Sequence, residues 1–294
     1  MFRFPYKILF PLILSLHLVF VGFTQAQQLV FEESEDGVRL LEDGKPRFFY
    51  QKKTKSLNGK YPRAHYFHPV YDLDGGVITE DFPSDHLHQR GIYWAWHQLY
   101  EGDKRLGNGW VCENFVWDVR RVFTAIEDNK AYLKSVVFWL DDAGNEYVVE
   151  SMEVIYERTS SDSYELDFDI KLQGLKDNIY IGGSEDSKGY GGFSIRLKLP
   201  DPIIFEGENG RIIPKENAVL AGNKVSMFGK FNDETDPYYV TVTGNTEELP
   251  SYQGWILREK NSMQNMAFPG RKPIQIPHDN PLGFQHKIIV HRKN

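Results

Sequence analysis

The chain has 294 residues, with 34 lysines and arginines against 41 aspartates and glutamates, and a formal charge of −7. This acidic balance excludes a general attraction to nucleic acid or to an anionic membrane, and a neutral partner fits better. A single cysteine, Cys112, excludes an internal disulfide, and we expect it to be a small buried residue. The length suits one large β domain, with two smaller domains as the alternative.

The first 26 residues have the pattern of a cleaved signal peptide. Arg3 and Lys7 come before or at the start of an apolar run, residues 8–23, which is followed by a small residue, Ala26. A membrane-spanning anchor is the alternative, but it needs about 20 apolar residues. We therefore expect a secreted or periplasmic chain without a membrane span. Its charge changes from −7 to −9, because two basic residues are lost with the signal.

A histidine-rich stretch between residues 63 and 97 interrupts the pattern expected of strands. It holds five of the eight histidines that follow the signal peptide. Near neutral pH, histidine can donate or accept a proton or bind a metal. We predict that this stretch supplies the catalytic residues, namely His65, His68, Asp85, His86 and His88.

Within this stretch, His86 and His88 point the same way if the segment is extended, as a metal-binding pair or an acid/base pair requires. No third ligand is evident, so we expect no cofactor, with a divalent metal on these two histidines as the alternative. Asp85 would orient a neighbouring imidazole, or only cap the turn after Pro83.

Side chains near the histidines are predicted to bind substrate. Arg90 would hold an anionic or hydroxylated group, or only neutralise Asp85. Trp94 and Trp96 lie one strand period apart and would stack on a ligand or pack in the core. Glu113 is a further candidate for the rim of the site.

From about residue 115 onward the sequence predicts antiparallel strands. Apolar and acidic residues alternate over residues 164–172, so one face of that strand is buried and the other is wet. Turn-forming residues separate the first strands at hairpin spacing. The predicted strands are 119–126, 131–140, 146–157, 164–172, 192–199, 238–243 and 286–291. Helix content should be low.

Three glycines surround Tyr190 in segment 185–196. They let the backbone approach another group closely, or they mark a bulge at a strand edge. Tyr190 and Arg196 would complete a polar, substrate-binding pocket.

The number of strands also constrains the fold. Strand edges have to be closed or covered, which favours a large antiparallel β-sandwich or a closed barrel. No linker or repeat is visible, so we predict a single all-β domain over residues 27–294.

Three motifs carry a family resemblance: HYFHPVY at 65–71, DFPSDHLHQRGIYWAW at 81–96, and GYGGF at 189–193 followed by Arg196. They resemble the bacterial PmoA-like family, a domain of unknown function catalogued as methane oxygenase PmoA. That oxygenase subunit spans the membrane several times, so we expect no oxygenase activity here. The family looks similar to the two-sheet supersandwich of galactose mutarotases and many polysaccharide lyases, which implies a concave sheet that faces a sugar.

The resemblance also bears on the reaction. A mutarotase uses a late glutamate as its base, whereas the matching segment here, residues 276–280, reads IPHDN and has no glutamate. This absence argues against simple epimerase chemistry.

Our main hypothesis is an enzyme that performs histidine acid/base chemistry on a sugar or glycan, as a lyase, hydrolase or epimerase. A non-catalytic glycan-binding protein and a metal-dependent enzyme of the cupin type are the alternatives. Polar side chains are costly to bury without partners. We therefore expect one shared cleft to contain His65, His68, His86, His88, Arg90 and Tyr190.

Overall fold

The structure of the protein, a computed structural model, describes residues 28–233, 236–245, 249 and 251–293. The predicted signal peptide lies outside these residues. Over the described ranges, the chain contains no helix with the length and apolar character needed to cross a membrane.

The described residues form strands and turns but no helix. Strands β1 to β23, numbered in chain order, make two large antiparallel sheets and two small ones. The predicted all-β, sandwich-like fold is therefore confirmed.

The nine-stranded sheet begins with the hairpins that period-two alternation predicted. In spatial order its strands are β10 (Val116–Glu127), β11 (Lys130–Leu140), β12 (Glu146–Ser160), β13 (Ser163–Gly174), β23 (Leu282–Arg292), β19 (Tyr238–Gly244), β18 (Lys224–Gly229), β16 (Ile204–Gly207) and β17 (Gly210–Ile212). All the predicted strands except 192–199 fall within strands of this sheet.

The eight-stranded sheet comes mostly from the first third of the chain. Its order is β1 (Leu29–Glu33), β2 (Gly37–Glu42), β3 (Lys45–Gln51), β6 (Tyr66–Val70), β7 (Ile92–Ala95), β15 (Gly192–Ile195), β21 (Gln264–Ala267) and β20 (Gly254–Ile256). The expectation that the histidine-rich stretch lacks strands was wrong, since β6 and β7 are central here. All four residues of β7 are buried, so no apolar alternation marks it as a strand.

Two small sheets complete the fold. A four-stranded sheet has the order β22 (Ile274–Ile276), β14 (Ile179–Gly182), β8 (Gln98–Glu101) and β9 (Lys104–Gly107), and a hairpin joins β4 (Lys55–Leu57) to β5 (Lys60–Arg63).

Aromatic rings pack between the two large sheets. Phe168 of β13 lies with its ring centroid 5.4 Å from Phe67, 6.2 Å from Trp94 and 5.2 Å from Phe193. Neighbouring residues of a strand point to opposite faces. Tyr93, between Ile92 and Trp94, therefore points to the outer face of the eight-stranded sheet, where loops cover it and form the candidate site.

Candidate functional site

A cleft of about 230 Å³ lies over the outer face of the eight-stranded sheet. Trp110 forms part of its wall, and the Trp110 ring packs 5.6 Å from the ring of Tyr93 beneath it. The residues that line the cleft are His86, His88, Gln89, His97, Trp110, Val111, Lys188, Tyr190, Ile256, Arg258, Lys260, Asn261, Ser262 and Met263.

A chain of hydrogen bonds orients the imidazole of His86. Arg196 donates to both carboxylate oxygens of Asp85, at 2.7 and 2.9 Å, and Asp85 Oδ2 lies 2.7 Å from His86 Nδ1. Burial raises the pKa of Asp85, but the bonds from Arg196 and His86 outweigh it and lower this pKa to about 2. The ionised carboxylate can only accept, so the proton between the two groups belongs to Nδ1, and Nε2 is the ring nitrogen of His86 that can accept a proton.

Two further histidines line the cleft and are neutral near pH 7. Burial lowers the pKa of His88 to about 3 and that of His97 to about 4. The positive charge of Arg63 lowers the His88 pKa further, and Arg105 does the same for His97. The His86 and His88 rings are 5.8 Å apart. Neutral imidazoles can accept or donate hydrogen bonds to a polyhydroxylated ligand.

Tyr190, Trp110 and His97 form a continuous ring surface in the cleft. The Tyr190 ring is 5.1 Å from Trp110 and 4.9 Å from His97, and His97 stacks on Trp110 at 5.2 Å. The glycine-rich segment places Tyr190 here. Gly189 has a φ of 58°, and a side chain there would meet the backbone nitrogen of Arg271 at 2.9 Å. Burial raises the pKa of the Tyr190 hydroxyl, which therefore stays protonated.

The family DUF6807, described as a family of unknown function, matches residues 37–294. The chain belongs to the DUF6807 family. A search of curated proteins found no match to it.

Of the residues predicted for the site, the DUF6807 fold places His86, His88 and Tyr190 on the walls of the cleft. Asp85 and Arg196 stand behind His86 and orient it. Tyr190 therefore shares one cleft with His86 and His88, although about 100 residues separate them in the sequence.

His65 does not reach the cleft, because it points between the sheets. Its Nε2 lies 2.8 Å from Glu150 Oε1, and its Nδ1 lies 2.7 Å from the hydroxyl of Tyr50. Trp94 donates to the same Glu150 oxygen at 2.6 Å, and Trp139 donates to the other at 2.8 Å. Glu150 is fully buried, so this cluster is an internal polar network.

His68 and Arg90 also lie away from the cleft walls. His68 Nδ1 is 2.9 Å from the hydroxyl of Thr79, and burial lowers the His68 pKa to about 4. Arg90 is fully buried, where it pairs with Asp81 at 3.1 Å and donates to the carbonyl oxygen of Leu87 at 2.6 Å. It braces the loop that carries the cleft histidines and does not contact Asp85 by an ion pair within the described residues.

The remaining candidates have structural positions. Trp94 and Trp96 are in the core, and Trp96 donates to the carbonyl oxygen of Phe268 at 2.9 Å. Glu113 is exposed, pairs through its backbone with Asn108 and is not among the residues that line the cleft. The predicted convergence is thus corrected, because His65, His68 and Arg90 lie in the core or in the loop interior and not on the cleft walls. For Trp94 and Trp96, the alternative of packing in the core is the one the structure has.

Sequence reasoning did not select four residues that matter in the cleft. His97 belongs to the same histidine-rich stretch, and Trp110 precedes Glu113 closely, so proximity along the chain could have indicated both. Lys188 lies in the glycine-rich segment 185–196, directly before Gly189, so that segment could have indicated it as well. Arg258 comes from a distant loop, and no local pattern marks it.

A divalent metal on His86 and His88 stays an alternative prediction. Within the described ranges, no three or more histidine, cysteine, aspartate or glutamate side chains are grouped so that they could hold a metal ion. The two histidines proposed as alternative ligands, His86 and His88, therefore lack a third partner of these types there.

The buried histidines predict acid sensitivity. Burial lowers the pKa of His286 to about 3, below the value of about 6.5 expected for an unfolded chain. Between these values the unfolded state binds more protons, so the free energy of unfolding should fall as pH decreases below about 6.5. Chemical denaturation at several pH values between 7 and 4 would measure this.

The matched variants are His286→Phe and His291→Phe. His286 stacks on Phe193 in the core and His291 stacks on Tyr239 at the sheet surface. We expect a weaker pH dependence for His286→Phe than for wild type or for the surface variant His291→Phe. An equal slope in wild type and His286→Phe would contradict the assignment.

Proposed function

We propose that this DUF6807 protein is an exported carbohydrate-active enzyme that performs acid/base chemistry on a sugar or glycan in the cleft. The observation that carries the proposal is the Arg196–Asp85–His86 chain, which ends on an imidazole that lines a cleft with an aromatic wall. A carboxylate that orients a histidine is a recurrent arrangement for proton transfer.

Each residue has a role in this proposal. His86 Nε2 accepts a proton from the substrate or from a water molecule, and Asp85 stabilises the imidazolium that forms. Tyr190 and His88 would hydrogen-bond the sugar, and the protonated Tyr190 hydroxyl would donate a proton to a departing oxygen. The indole of Trp110 and the ring of Tyr190 provide flat apolar faces for a sugar ring.

The resemblance to PmoA-like proteins and to the mutarotase supersandwich belongs to the same proposal. Two large antiparallel sheets with a cleft on one outer face support it. Within that resemblance, a lyase or hydrolase is favoured over a mutarotase. His278 lies in segment 276–280, where a mutarotase would have its glutamate base. Its Nδ1 is 2.8 Å from the carbonyl oxygen of Gly174, and it is not among the cleft-lining residues.

A glycan panel with wild type and His86→Ala tests the proposal. Calorimetric titration measures binding, and proton NMR of the incubated oligosaccharides detects cleavage, elimination or epimerisation. We expect one sugar class to bind both proteins and to be converted only by wild type, with partial rescue of His86→Ala by added imidazole. Binding without conversion by wild type would favour a non-catalytic glycan-binding protein, and no binding to any glycan would contradict both.

A further inference from the structure

A second groove continues from the cleft toward the 214–216 loop. Its volume is about 460 Å³, and it shares three basic side chains with the cleft. The shared residues are Lys188, Arg258 and Lys260. A ligand longer than one sugar unit can therefore extend from the cleft past these side chains.

The guanidinium of Arg258 is held in place but is not neutralised. Its Nη1 donates to the carbonyl oxygens of Lys215 and Leu257, both at 2.9 Å, and its Nη2 donates to that of Glu216 at 2.7 Å. No carboxylate of the described residues lies within ion-pair distance of it. Burial lowers the pKa of Arg258, and the charge of Glu216 partly opposes this. The structure thus presents a pre-oriented cation to the cleft.

The lysines beside Arg258 are only loosely paired. Lys188 lies 3.7 Å from Glu216 and Lys260 lies 3.6 Å from Asp201, and both carboxylates are more than four-fifths exposed. Water screens such pairs strongly. Glu259 also lines the groove, together with the exposed Lys215. Basic groups therefore outnumber acidic ones at this place, although the whole chain is acidic.

A second cation without a carboxylate partner among the described residues lies behind the cleft wall, with its guanidinium 4.2 Å from the ring of Trp117 and 5.0 Å from the ring of Tyr93. Arg63 is almost completely buried, donates to the carbonyl oxygens of Gly109 and Trp110, and has no carboxylate of the described residues within ion-pair distance. Its Nε and Nη1 have no hydrogen-bond partner there. The positive charge of Arg63 acts on His88, whose pKa it lowers in addition to the effect of burial. Positive charge thus reaches the cleft from the wall as well as from the groove.

We propose that the cleft and the adjoining groove recognise an acidic glycan, with Arg258 and Lys188 binding the carboxylate of a uronate unit. This inference rests on the proposed function and names its substrate class. A planar guanidinium matches a carboxylate in two parallel hydrogen bonds, and a neighbouring ammonium adds a charge-assisted bond. A neutral sugar would offer these cations no carboxylate beyond that of the exposed Glu216.

The test is calorimetric binding of oligogalacturonate and oligoglucuronate, with their carboxyl-reduced neutral counterparts as matched ligands. Wild type should bind at least one uronate about tenfold or more tightly than its reduced counterpart, and salt should weaken only the uronate. The double variant Lys188→Gln/Arg258→Gln should lose this preference. The control Lys45→Gln/Lys224→Gln, which removes two exposed lysines elsewhere, should keep it.

Equal affinity for charged and reduced ligands, or a preference that survives in Lys188→Gln/Arg258→Gln, would overturn the inference. A sulfated form of the neutral oligosaccharide that binds when neither uronate does would overturn it as well. The salt dependence is measured on the wild-type protein, so this part of the test holds even if the double variant does not fold. The experiment measures binding and not turnover, so it separates the two proposals. Tighter binding of a uronate that the protein does not convert would contradict only the proposed function. Conversion of a neutral glycan by a protein with no preference for the uronate would contradict only this inference.

Discussion

Replacing Asp85 with asparagine is expected to lower turnover by about 10²- to 10⁴-fold, the range that general acid/base catalysis typically contributes. The amide cannot supply the negative charge that stabilises the His86 imidazolium, and its NH₂ group can face Nδ1 and favour the wrong tautomer. Asp85 is partly exposed, so the free energy of unfolding should change by no more than about 1–2 kcal/mol. Steady-state kinetics and chemical denaturation of the same preparations measure the two effects.

Glu80→Gln is the matched control for Asp85→Asn. Glu80 accepts a 2.7 Å bond from Arg196 Nε, whereas the carboxylate that His86 bonds is that of Asp85. Its loss therefore removes a carboxylate from the same arginine while the Asp85–His86 bond remains. We expect turnover within about tenfold of wild type, because Asp85 still binds Arg196 through two oxygens. Equal losses in both variants would show that the arginine's environment, and not imidazole orientation, determines activity.

Removing Glu150 is expected to have the largest effect on stability. Glu150→Ala would leave the imidazole of His65 and the indole N–H groups of Trp94 and Trp139 without their acceptor in the core. A buried donor left without its acceptor typically costs about 1–3 kcal/mol, and three donors lose theirs here, so about 3 kcal/mol or more is expected. We expect a decrease of this size in the free energy of unfolding, measured by urea denaturation.

Glu153→Ala on the same strand is the control. Glu153 lies on the outward face of β12 and pairs with Lys134, which is more than half exposed. Surface pairs of this kind contribute about 0–1 kcal/mol. A Glu150→Ala protein as stable as Glu153→Ala would show that the network contributes little to folding and would reopen a functional role for His65.

Sequence patterns predicted the hairpins of the nine-stranded sheet well because their two faces differ in exposure. In β13, buried Leu166 and Phe168 alternate with partly exposed Asp167 and Asp169, and that alternation is visible in the residue types. The same reasoning missed β7, where loops cover the outer face and every residue is buried. Alternation of apolar and polar residues identifies a strand only when one face of the strand is buried and the other is exposed to water.

At the candidate site, too, some features follow from the sequence and others only from the tertiary structure. The sequence by itself determined the all-β fold class and selected Asp85, His86, His88 and Tyr190 through a histidine-rich stretch and a glycine-flanked tyrosine. Only the tertiary structure decided that His65 belongs to the core network of Glu150. It also decided that Lys188 and Arg258 meet at the cleft despite an acidic total charge. The physical reason is that strand alternation and turn chemistry act between near neighbours, whereas the burial of an imidazole or the clustering of charges depends on which distant loops pack together.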